Sequence, residues 1–150
     1  MNETTKDIDR LTAPLWGKIG GQLTAETMRQ LSSDELTLIA YSILRQELLE
    51  GGFVQLIHNG YGPFIFLNPF AKAMRLWGLK DFCNWLYDAR KVYERTADRL
   101  GQPVETDEEF MALYEQYPEW DDFDDKFVEM EPDITRRVCE AWDDSLTIEH

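Results

Sequence analysis

From Lys80 to about Asp98 the side chains of Phe82, Cys83, Leu86, Ala89, Val92, Tyr93 and Ala97 recur every three or four residues, with charged residues between them. That repeat matches the turn of an α-helix and not the two-residue period of a strand, so it predicts a long amphipathic helix with one face to bury. It is expected to be the longest helix of the chain. The same grammar recurs elsewhere. In "LSSDELTLIAYSILRQELLEGG", Ser32 stands three residues before Glu35 as in a capping box. Leu36, Ile39, Ile43 and Leu44 then keep helical spacing until Gly51 and Gly52, which predicts a helix at about 33–50. In "NPFAKAMRLWG", Asn68 is placed to cap, Pro69 to take the first helical position, and Gly78 to end two turns. After the turn "LGQPVET", Thr106 and Glu109 open another helix to about Tyr117. "FVQLI" and "FIFL" are strand-like, but too short to decide between strand and helix. The expectation is an all-α fold, a compact bundle of seven to eight helices.

A chain of 150 residues, 43% hydrophobic, suits one domain with a single core spanning 1–150, divided into residues 30–100 and an acidic helical region at about 105–150. The N-terminal "MNETTKDIDRLTAPLWGK" does not resemble a signal peptide, and no apolar run reaches membrane-spanning length. A cytoplasmic protein is expected, with Cys83 and Cys139 as free thiols on separate helices.

The net charge of −14 is unevenly placed. Residues 1–100 hold twelve acidic and twelve basic side chains, whereas residues 101–150 hold seventeen acidic and three basic. A field of that sign repels nucleic acid and anionic membranes and attracts basic protein surfaces. Its densest part, "EWDDFDDKFVEMEPD", keeps Trp120, Phe123, Phe127 and Met130 at spacings of three, four and three. Those four share a helix face that Asp121, Asp122, Asp124, Asp125 and Glu129 mostly avoid, so the segment reads as an amphipathic helix and not as a disordered tail. Pro132 is expected to end it or to start the next helix, whose stripe is Ile134, Val138, Ala141 and Trp142.

Metal chemistry finds little support. "DDFDDKFVEM" lacks the glycine of a calcium loop and places Phe123 and Phe127 inside it, and His58 and His150 are the only histidines. No metal or other cofactor is expected. No nucleophile motif, phosphate loop or dinucleotide fingerprint occurs. Glu47, Gln55, His58 and Asn59 cluster around the paired glycines and would be the place for a pocket, but a helix-end role is favoured over catalysis, and no catalytic residue is assigned.

The stretch "ELLEGGFVQLIHNGYG" carries Glu47, Gly51, Gly52, Phe53, Gln55 and Asn59 in the pattern E-x-x-x-G-G-F-x-Q-x-x-x-N. This resembles the signature of a bacterial family of small helical proteins that includes an acidic DNA mimic, and the resemblance covers roughly residues 30–100. Members more often have Asn where this chain has Glu50. Independently of the family, paired glycines at a helix end permit left-handed backbone and close approach of the next segment. Phe53 then enters the core, and the Gln55 and Asn59 amides are placed to bond freed backbone groups.

The resemblance implies a nonenzymatic protein that displays carboxylates where DNA displays phosphates and thereby occupies a DNA-binding protein. The residues available for such a face are Glu105, Asp107, Glu108, Glu109, Glu115, Glu119, Asp121, Asp122, Asp124, Asp125 and Glu129. Two alternatives stay open at this level: an immunity-type or regulatory binding protein, and a small-molecule or catalytic domain centred on the Gly-Gly motif.

Overall fold

The structure, a computed structural model, describes residues 3–149. The described residues form nine α-helices and no strand: α1 Glu3–Lys18, α2 Ala25–Met28, α3 Ser33–Glu50, α4 Gly52–His58, α5 Gly62–Phe66, α6 Phe70–Leu76, α7 Lys80–Leu100, α8 Asp107–Gln116 and α9 Glu119–Glu149. The fold is all-α, as the spacing predicts, with slightly more helices than expected. "FVQLI" falls in α4, and "FIFL" belongs to α5 and the residue after it.

Side-chain caps open α3 and α8. At α3, Ser32 N–H donates to Glu35 Oε1 at 2.8 Å and Glu35 N–H to Ser32 Oγ at 3.1 Å, a complete capping box. At α8, Glu109 N–H donates to Thr106 Oγ1 at 3.0 Å, but the Glu109 carboxylate accepts from Glu105 N–H instead of from the cap residue's own. Asn68 does not cap α6. Its amide donates to the Phe64 carbonyl at 3.0 Å, closing the end of α5, and Pro69 takes the cap position one residue later than expected.

Two expectations about helix length are corrected. The 21 residues of α7 are exceeded by the 31 of α9, because α9 does not end at Pro132. Proline removes one helical N–H and crowds the carbonyl four residues earlier. Here Phe127 and Glu131 on one side, and Ile134, Thr135 and Val138 on the other, are all buried and hold both halves in place. Pro132 itself lies on the exposed side, where water can take the freed carbonyl.

The chain divides into two compact units, and the division falls inside α3 and inside α9. One comprises the chain up to Ile43 and from Pro132 onward. Its buried apolar side chains include Ile8, Leu15, Ile19, Leu38, Ile39, Ile134, Val138, Cys139 and Trp142, and the buried Tyr41 and Thr135 hydroxyls lie 2.7 Å apart. The other unit is Leu44–Glu131. Its core is aromatic: the Phe53 ring meets Trp120 at 4.6 Å, Trp85 at 5.6 Å and Phe66 at 5.8 Å between centroids. Burial of such rings supplies most of a core's favourable free energy. The Trp120 indole N–H donates to Thr96 Oγ1, and Arg45 pairs with Glu131 at 3.3 Å in the same unit.

A carboxylate surface and the glycine corner that seats it

The corner between α3 and α4 belongs to the second unit. Gly52 has φ +80, a left-handed conformation that side chains with a Cβ rarely adopt, and a Cβ there would also overlap the Asp124 carboxylate. The neighbouring Gly51 has a negative φ, but a Cβ on it would meet the Gln55 side chain. The backbone so exposed is claimed from two sides. Tyr114 of α8 donates its hydroxyl to the Gly51 carbonyl at 2.7 Å, and Asp124 of α9 accepts the Phe53 N–H on Oδ1 at 2.9 Å.

The remaining motif residues close on one another. Gln55 Nε2 donates to Glu47 Oε2 at 2.6 Å, and Asn59 Nδ2 reaches Glu47 Oε1 and Oε2 at 3.1 and 3.2 Å. The expectation that these amides bond freed backbone groups is thus corrected: one carboxylate gathers both, tying the last turn of α3 to the length of α4. His58 does not join them. Its Nδ1 lies 3.2 Å from the Leu100 carbonyl, and its ring packs on Phe110 at 4.9 Å. The cluster that the sequence suggests as a pocket is a helix junction.

Because Tyr114 and Asp124 come from α8 and α9, the corner holds the two helices that carry the acidic residues. Between residues 105 and 129 there are eleven carboxylates and one lysine. Glu105, Asp107, Glu108, Glu109, Glu115, Asp121, Asp122, Asp125 and Glu129 are exposed, and Glu119 is half-buried with Arg95 3.8 Å away. At ~100° per helical residue, Asp121, Asp122, Asp125 and Glu129 fall within an arc of about 100°. Trp120 and Phe127, fully buried, point away from that arc. Some of this charge also serves the helices themselves: Asp107, Glu108 and Glu109, and Glu119, Asp121 and Asp122, occupy first turns, where negative charge complements the helix dipole.

Asp124 is not part of the exposed face. It is half-buried against Gly52, and burial, opposed by the Phe53 N–H and reinforced by Asp121 and Asp125, pushes its carboxyl up to about 7. The pattern held a signal for this position: Asp124 lies four residues after Trp120 and three before Phe127, on the flank of the apolar stripe. Tyr114, by contrast, gives no local sign of its role, because its partner is 63 residues away. Burial raises its hydroxyl pKa, with Asp124 and Glu47 adding to the effect.

Both features fall inside one region of known relationship. The sequence model of the DMP19-like protein family matches residues 29–146. The chain belongs to that family. Within it, the DNA mimic protein DMP19 of Neisseria meningitidis serogroup B (strain ATCC BAA-335 / MC58) is 36% identical over 104 residues. Those residues are 69% of this chain and 63% of that relative, so the chain spans less than two thirds of the relative's length. The family match covers the glycine corner and the exposed carboxylates of α8 and α9 together. No helix among the described residues is long and apolar enough to cross a membrane.

Proposed function

We propose that the protein is a nonenzymatic, acidic protein-binding domain that occupies a basic DNA-binding protein in place of duplex DNA. The observation that carries this reading is the arc of Asp121, Asp122, Asp125 and Glu129, exposed on α9 opposite the buried Trp120 and Phe127. From Asp121 to Glu129 the helix advances about 12 Å, and a duplex carries about seven charges over such a length. Four of the carboxylates come from this arc, and Glu105, Asp107, Glu108, Glu109, Glu115 and Glu119 on or beside α8 are the candidates to make up the rest. Membership of a family with a relative named as a DNA mimic supports the same reading. So does the absorption of Glu47, Gln55 and Asn59 into a junction, which leaves those side chains engaged with one another and not poised for catalysis.

The test is a pull-down from native extract with the wild type and with the variant Asp121→Asn, Asp122→Asn, Asp125→Asn, Glu129→Gln. The wild type is expected to recover a basic protein at low salt, to lose it as salt rises, and to release it to added duplex DNA. The variant is expected to retain its helical circular dichroism and to recover at least tenfold less, about 1.4 kcal/mol of binding free energy. Equal recovery by both proteins, indifferent to salt and DNA, would exclude mimicry by this surface.

A further inference from the structure

The carboxyl group of Asp124 is wedged at the α3–α4 corner, against the one glycine of the pair with positive φ, and accepts the Phe53 N–H at 2.9 Å. The ionisable groups that act on it are Asp121 and Asp125 on its own helix and Tyr114 on α8. All are acids or a phenol, and among the described residues no lysine, arginine or histidine pairs with Asp124. A carboxylate held half-buried among like charges is poorly placed to remain ionised, yet the hydrogen bond to Phe53 needs only an acceptor oxygen, which the neutral acid also provides.

We propose that Asp124 is a proton-sensitive latch: as the neutral acid it seats the acidic end of α9 on the glycine corner, and its ionisation loosens that seat. The sign follows from linkage. Asp124 titrates near 7 when the corner is closed and near its ordinary value of 3.8 when the corner opens and water reaches it. Its contribution to closure is therefore complete below the lower value and disappears as pH rises through the upper one. Asp121 and Asp125 belong to the surface described above, so a cationic partner that neutralises them lowers the penalty on a charged Asp124 and favours proton release on binding. That link rests on the proposed function, whereas the latch does not.

A partner-free experiment keeps the two separable. The side-chain carboxyl of Asp124 is followed by carbon-detected NMR from pH 3 to 9, and amide hydrogen exchange at Phe53 is measured at pH 5.5 and 8.5. The wild type is compared with Asp124→Asn, which keeps an acceptor oxygen but cannot ionise. The carboxyl is expected to titrate near neutrality. After correction for base catalysis of exchange, protection of Phe53 in the wild type is expected to fall about 30-fold between the two pH values, and that of the variant to stay level. With Asp121 and Asp125 both replaced by asparagine, the Asp124 midpoint is expected to move down. Titration of Asp124 in the ordinary carboxylate range, or Phe53 protection that does not fall in the wild type or falls equally in the variant, would overturn the latch. Should Asp124→Asn fail to fold, the wild-type titration and exchange decide alone.

Discussion

Gly52 and Asp124 occupy one another's space: the glycine has no side chain where the carboxylate sits, and its φ of +80 turns the Phe53 N–H toward that carboxylate. Replacing Gly52 by valine imposes both left-handed strain and overlap, so it is expected to lower unfolding free energy by about 2–4 kcal/mol. Gly51→Ala overlaps the Gln55 side chain but sits at a negative φ, so it adds no left-handed strain and is expected to cost less. Urea midpoints of the two variants check the ranking, and an unchanged midpoint for Gly52→Val would show that the corner is not strained as described. The value of the paired glycines was legible in the sequence, because a double glycine after a periodic run has a local backbone meaning. The partners were not. Asp124 is 71 residues from Phe53, and nothing in the local pattern of either residue names the other.

At the scale of elements, caps were readable and lengths were not. Ser32 with Glu35, and Thr106 with Glu109, act within one turn of their own helix, so spacing alone locates α3 and α8. Pro132 misled because its local cost is real while the compensation is tertiary: buried residues flanking it keep α9 continuous. Replacing Pro132 with alanine restores one helical N–H at an exposed position, and it is expected to raise stability by about 1–2 kcal/mol. Thermal unfolding checks this. A lower melting temperature in the variant would mean that the proline ring is needed for packing or for the path of α9. Asn68 teaches the same lesson in miniature, since a residue suited to starting α6 instead closes α5.

For the whole molecule the governing number is the net charge of −14, concentrated after residue 100. Like charges crowded on the outer face of α9 repel, and added salt screens them. The wild-type melting temperature is therefore expected to rise from low to moderate sodium chloride. In the Asp121→Asn, Asp122→Asn, Asp125→Asn, Glu129→Gln variant, which lacks four of those charges, the rise should be smaller and should start from a higher value. A salt response identical in both proteins would place the repulsion elsewhere. The class of fold was readable because helical periodicity is written along nearly the whole chain. Which carboxylates are exposed was readable for Asp121, Asp122, Asp125 and Glu129, which lie away from the apolar stripe. It failed for Asp124, which lies on the stripe's flank. Trp120 and Phe127 anchor α9 from one side while the four exposed carboxylates occupy the other. The two vocabularies are spelled at different positions of the same helix, so the outward one can be rewritten without disturbing the inward one. A library randomised at those four positions alone is a practical route to domains with the same scaffold and new binding preferences.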